Sequence, residues 1–454
     1  MSDKKDQIEQ DTQASIAIRK ALTRQFVAYE FEHEAGNQIA KIKKKLDRQS
    51  NASDSTQSNI VIVDCDEVYV QDTKSSVGSI IKTKAVNLHP QYHSLVANNK
   101  AIVSLGLNSI LDISFTYPDS QSTLFTSQQW DELRRKYKPK KYNTSEYAHI
   151  KPILAPIFKE YSDKKTTDAN WINMYKQVKS LEKTHDPELS PDNNDISFCI
   201  YFILQTLLII KHQPDLFNPE IDSSEWDFVV KFWGLITERL FYRSHLRLKW
   251  GDTHLTMHDT ICDSSFKVDL RILHDKIKQR YNTENDVAIM EAAVEGSGNA
   301  KFVSDRFKLS IESKMIIDRY LMDGVDITSV DSLQISGLQV FFLNTSLKEQ
   351  GLYITTQFHY QSITKSLKDL AKYMDLAVGF LHFRDNCIIT SNAYENHLTC
   401  LQDKKRSGKR SVDNLQDDKL TSKQEAIRGT WNPPHSPKSP LPAVPKNLWK
   451  AKKT

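Results

Sequence analysis

The chain has 454 residues, 39% hydrophobic and 26% charged, with 61 Lys and Arg against 57 Asp and Glu, a net charge of +4. That length holds roughly two or three domains, and the balanced charge excludes a uniformly basic nucleic-acid binder, so any basic surface must be local. Five cysteines (Cys65, Cys199, Cys262, Cys387, Cys400) lie far apart with no CxxC, which signals neither a zinc site nor a disulfide framework and fits reduced thiols in an intracellular protein.

The opening "MSDKKDQIEQDTQ" has no apolar run of the secretory kind. Ile18, Leu22 and Phe26, then Ile39, Ile42 and Leu46, recur at helical spacing and predict a helix over 14–47, with Gly36-Asn37 as a breaker. Residues 48–59 are polar and read as a linker, so 1–59 forms an N-terminal helix and linker. "IVIVDCDEVYV", 60–70, reads as a strand or extended element in which Asp64 and Asp66 share one face, expected to be solvated acids. "SILDIS", 109–114, follows.

From 127 to 243 the pattern is helical in "SQQWDELRRKY", "WINMYKQVKSL", "ISFCIYFILQTLLIIKH" and "SSEWDFVVKFWGLITERLFY". The third of these is the most apolar run, but 196–210 is shorter than the roughly 20 residues a membrane span needs, so a core helix is expected and no membrane. The fourth starts with Ser224 as a cap and Asp227 three residues on. Phe228, Val229, Phe232, Trp233, Ile236 and Leu240 make its buried stripe. Residues 60–243 are therefore a mainly helical region packing on a core.

After 244 the period shortens. "HLRLKW", "SSFKVDLRIL" and "DVAIMEAAV" predict three strands, and "FVSDRFKLSIESKMIIDRYLM" a helix capped by Ser304. "ISGLQVFFLNTS" and "GLYITTQFHY" predict two more strands, and "KSLKDLAKYMDLAVGFLHF" a closing helix, giving an α/β core over 244–400. Residues 401–454 are charged, then Pro-rich, and are expected to be a disordered tail.

The αβββαβ order resembles the core of the PD-(D/E)XK nuclease superfamily, in which a central mixed sheet flanked by helices carries the site. The stretch "SEWDFVVKFW…LRLKWGDT…FKVDLRIL…GLQVFFLNTSLKEQGLY" is in turn similar to a large group of proteins of undefined activity in early-diverging fungi, which carry G-E-x-K on the third strand. That resemblance covers about residues 105 to 385.

The resemblance implies a divalent cation, Mg or Mn, held by Asp269 on the second strand and Glu291 on the third. It implies a further glutamate from the first core helix, Glu238 or Glu225, the former nearer the following strand. The motif lysine is replaced by Ala293, and Lys301 and Lys308 on the next helix are the residues available to take its role. Phe307 and Ile311 define the buried side of that helix, with Lys308 at its flank. The expected activity is DNA or RNA binding with weak or absent metal-dependent cleavage. The alternative is a non-catalytic protein-interaction scaffold that kept the fold.

Three further signals stand apart from that site. "RRKYKPKKY", with Arg134, Arg135, Lys136, Lys138, Lys140 and Lys141, fits phosphate gripping or a plain solvated helix end. "KKRSGKR", with Lys404, Lys405, Arg406, Lys409 and Arg410, fits a nuclear-import signal or a plain solvated tail. "EGSGNA", 295–300, suits a flexible turn before a helix or a phosphate-binding one.

Overall fold

The computed structural model describes residues 60–64, 66–114, 120–139, 145–255, 267–274, 284–294, 298–407, 414–434, 436 and 438–448. The expected helix and linker over 1–59, together with Cys65, Cys262, Lys140, Lys141, Lys409 and Arg410, lie outside these residues. Residues from Ile60 onward make one compact unit.

The protein is mixed α/β. A seven-stranded sheet runs in the order β1-β7-β6-β5-β4-β3-β2. Its strands are β1 (Ile110–Asp112), β2 (Leu246–His254), β3 (Lys267–His274), β4 (Asp286–Ala293), β5 (Ser329–Ser336), β6 (Gln339–Glu349) and β7 (Leu352–Ser362). β2, β3 and β4 are an antiparallel meander, β4 and β5 are parallel, and β5, β6 and β7 are antiparallel again. β1 pairs parallel to β7, so a strand from the helical region closes the far edge and the two regions share one sheet.

The helices are α1 (Val77–Leu88), α2 (Ala97–Leu107), α3 (Ser127–Lys136), α4 (Lys151–Tyr161), α5 (Asp168–Thr184), α6 (Asn194–His212), α7 (Glu225–Phe228), α8 (Gly234–Phe241), α9 (Gly298–Met322), α10 (Tyr373–Ser407) and α11 (Asn414–Glu425). A π-helical turn, Val229–Trp233, joins α7 to α8. α9 crosses from β4 to the parallel β5 and covers one face of the sheet with Ile311, Ile317 and Leu321. α6, α8 and α10 cover the other face in a core rich in Phe202, Trp233, Phe342 and Phe380. The apolar α6 passes the length and composition test for a membrane span, yet 67% of its apolar window is buried in this core.

The capping expected at Ser224 is present in full. Ser224 Oγ accepts the Asp227 N–H at 3.2 Å, and Asp227 accepts the Ser224 N–H at 2.8 Å. All six residues of the expected stripe are buried.

Other expectations are corrected. Ser304 lies inside α9 and does not cap it. "ISGLQVFFLNTS" is not one strand but the end of β5, a turn and β6. Gly337 at φ 57° lets the chain reverse, so three strands follow α9, not two.

The described residues of 60–70 join no sheet, and Asp64 and Asp66 are buried, not solvated. This segment lies along α1. Ile60, Ile62 and Asp64 donate their N–H groups to Asn87, Thr83 and Ser79 at 3.0, 2.9 and 2.8 Å. Two extended residues advance about 6.6 Å. Four helical residues advance about 6.0 Å, so every second strand residue meets every fourth helix residue.

The expected disordered tail is ordered over its described part. Trp431 and Leu448 are buried between Ala85, Val103 and Leu107. Asn108 bonds both backbone groups of Trp431, at 2.8 and 2.9 Å. Single anchors in a proline-rich segment leave no periodicity to read, which is why composition alone suggested disorder.

A buried carboxylate and lysine cluster at the sheet end

β1, β4, β5 and β7 run in one direction, and β3 runs against them. The C-terminal end of β4 and the start of β3 therefore meet at one end of the sheet. The β3–β4 ladder stops at Leu270–Met290. Beyond it the Asp269 carboxylate reaches across and accepts the Ala292 N–H at 2.9 Å. Glu291 sits between, fully buried, in register with Gln334 on β5.

The N-terminal half of α9 lies over this end. Lys308 Nζ donates to Glu291 Oε2 at 2.8 Å. Lys301 donates to Asp305 at 3.1 Å and stands 3.8 Å from Glu225, in the first turn of α7. Glu312, four residues after Lys308, is buried at the same place. The structure thus brings together Asp269, Glu291, Lys301 and Lys308 from the sequence reading, and adds Glu225, Asp305 and Glu312.

Of the two helix glutamates, it is Glu225 that belongs here and not Glu238. Thirteen helical residues separate them, about 20 Å along an axis. Glu238 is exposed and accepts the Trp250 indole N–H at 2.6 Å. Asp305 and Glu312 had a readable signal. Lys301, Asp305, Lys308 and Glu312 are spaced four, three and four apart, which is one stripe on a helix.

The electrostatics follow from burial. Five carboxylates face two ammonium groups, a net charge of −3 if all were ionised. Burial, then Asp269, pushes Glu225 up to about 7. Burial, then Asp269, raises Glu291 well above the usual carboxylate range. Burial lifts Asp305 to about 6 against the pull of Lys301 and Lys308. Burial lifts Glu312 to about 8 although Lys308 opposes it. Burial pulls the Lys308 pKa down, but Glu291, Glu312 and Asp269 outweigh it and hold the ammonium charged.

Several of these buried oxygens have no hydrogen-bond partner: Glu291 Oε1, Asp305 Oδ2 and both oxygens of Glu312. An orphaned buried oxygen costs about 1–3 kcal/mol, and four of them fall at this one place. Among the described residues no three His, Cys, Asp or Glu side chains converge to hold a metal by themselves. Mg²⁺ binds through one or two carboxylates and otherwise through waters and substrate oxygens. Asp269 and Glu291 are the right number and chemistry for that mode.

The other expected residues lie apart from the cluster. Arg134, Arg135 and Lys138 line a groove of about 1070 Å³ at the β1–β7 edge, with Ile113, Ser114 and Phe358. Lys136 turns away to Glu349 at 3.1 Å. Three strand spacings, about 14 Å, separate β7 from β4. Arg306 spans part of that gap, from Gln334 at 2.6 Å to Ser114 at 2.8 Å. Lys404, Lys405 and Arg406 fall at the end of α10.

Comparison of this chain with protein-family models, with curated proteins and with solved structures finds no match.

Proposed function

We propose that this protein is a divergent PD-(D/E)XK-type phosphodiesterase acting on nucleic acid, with the motif lysine moved from Ala293 to Lys308. One observation carries the reading: Lys308 Nζ lies 2.8 Å from Glu291 Oε2, beside Asp269, so a lysine from the next helix accompanies the two acids although Ala293 stands at the motif position. The order helix, three antiparallel strands, helix, parallel strand supports the same kinship.

Asp269 and Glu291 would hold Mg²⁺ or Mn²⁺, which when bound polarises a phosphodiester and lowers the pKa of a coordinated water. Lys308 stays charged in a water-poor place and offsets negative charge developing on the phosphate. Asp269 also ties β3 to the Ala292 amide, which fixes the gap between the strands. Arg134, Arg135 and Lys138 would hold the phosphate backbone beyond the cleaved bond.

The test is cleavage of labelled single- and double-stranded DNA and RNA with Mn²⁺. Wild type is expected to cleave at least one of them. Asp269→Ala and Lys308→Met should each lose about 100-fold or more, the usual cost of removing a group that stabilises the transition state. Cleavage unchanged in both variants rules the reading out. Nucleic-acid binding with no cleavage in wild type leaves the chain as a binding module on the same fold.

A further inference from the structure

Lys308 occupies the carboxylate that the proposed cation needs. A second cation on Glu291 repels the ammonium, so Lys308 requires another seat. Asp305 already holds Lys301 at 3.1 Å. Glu312 lies one turn along α9 from Lys308, at the spacing where side chains on a helix meet. Its two oxygens are buried and have no hydrogen-bond partner, and the residue is 1% exposed. A buried, unpartnered carboxylate is costly to keep unless another state of the protein uses it.

We propose that Glu312 is a positioning residue, the second seat of the Lys308 ammonium, which leaves Glu291 for Glu312 when Glu291 takes a divalent cation. The inference rests on the phosphodiesterase reading. It adds a two-position lysine: one position closes the cation site, and the other opens it while keeping the ammonium within the cluster. The pairing is local to α9, because both residues stand on one stripe of that helix. It therefore needs a side-chain swing and no movement of the sheet.

The experiment is Mn²⁺ titration calorimetry on the full chain, with thermal unfolding of each variant to confirm folding. Lys308→Met should tighten Mn²⁺ binding, because the competing ammonium is gone. Glu312→Gln keeps size and shape and should weaken Mn²⁺ about tenfold or more, the range seen when a group that supports a ligand is lost. Glu312→Asp should restore part of that loss. In the Lys308→Met background Glu312→Gln should change nothing, since there is no ammonium to seat.

The proposal is overturned if Glu312→Gln binds Mn²⁺ like wild type. It is also overturned if Glu312→Gln weakens binding equally with and without Lys308, which would make Glu312 a direct ligand. The phosphodiesterase reading itself falls, and this inference with it, if wild type binds no Mn²⁺ or Asp269→Ala binds it as tightly as wild type.

Discussion

Two buried charge clusters lie in this molecule, and they are built on opposite principles. Beneath the C-terminal segment, Asp64 pairs with Lys82, both without exposure, and Arg428 stands 3.6 Å from Asp64. Asp66 accepts the Gly78 N–H at 2.9 Å, so two acids meet two cations and a helix N-terminus. Nearby, Lys314 joins Asp318 at 2.6 Å and also caps the Arg428 carbonyl at 2.9 Å. At the sheet end, five carboxylates meet only two lysines and four oxygens are unpartnered, against one acid oxygen, Asp66 Oδ1, in the first cluster. Balanced charge inside a protein ties elements together. A surplus of acids held under cover is relieved by raised pKa values instead.

The comparison breaks most sharply on removal of a cation. Lys82→Met should destabilise the protein by about 3–5 kcal/mol in chemical denaturation, because it removes the closest partner of the buried Asp64 charge and leaves only Arg428, 3.6 Å away. At the sheet end the carboxylates can take up protons instead, so Lys308→Met should cost much less. Equal losses would erase the distinction.

Next in size is the effect of a cation. Mn²⁺ at about 100 times its dissociation constant should stabilise wild type by about 2.7 kcal/mol. Asp269→Ala should remove that gain, while Lys82→Met should keep it.

The pH dependence follows in turn. Glu312 and Glu225, raised to about 8 and about 7, are protonated in the fold where the unfolded chain is ionised. The folded state then binds more protons, so without metal the stability they contribute is complete below about pH 4.5. It is lost as pH rises through 7 and 8. Glu312→Gln should flatten this decline and leave the variant more stable than wild type at pH 8, by about 1 kcal/mol or more, one pKa unit's worth. The charged and titratable neighbours facing these groups are Asp269, Asp286, Glu291, Asp305, Lys301 and Lys308. A thermal melt between pH 5 and 8 reads the slope directly. A rising slope in metal-free wild type would contradict the burial argument.

The smallest effect concerns the groove. Arg134→Ala and Lys138→Ala should weaken nucleic-acid binding similarly across sequences, and each should reduce the salt slope by about 1. Binding measured from 50 to 200 mM salt tests this.

Much of the sheet end was legible before any coordinates. Asp269 and Glu291 were named through the resemblance, which implies one acid on the second strand and one on the third; strand alternation alone left Asp269 readable as a solvent-facing acid. Lys308 could be named because Phe307 and Ile311 fix the phase of α9. The same phase would have delivered Asp305 and Glu312, had the stripe through Lys301 been followed. Glu225 was passed over for Glu238 because nearness in sequence to β2 says nothing about which end of a helix meets the site. β5 was missed because "SVDSLQIS" is polar by composition yet buried at seven of its eight positions. The balanced cluster was illegible for a different reason. Asp64, Lys82 and Arg428 are brought together across the chain, and no local pattern foretells such a meeting.

That same distance has a consequence for how the molecule is made. The bond from Asn108 to Trp431 closes across 323 residues, and the one from His89 to Pro442 across 353. A ribosome adding about 5–20 residues per second leaves α1 and α2 waiting roughly 15–65 s for their cover. Throughout that interval Ala85, Val103 and Leu107 lack the apolar cover that Trp431 and Leu448 later supply. The nascent chain thus has a long, timed window in which a chaperone competes with Trp431 for the same patch, and slowing translation between the two would widen it.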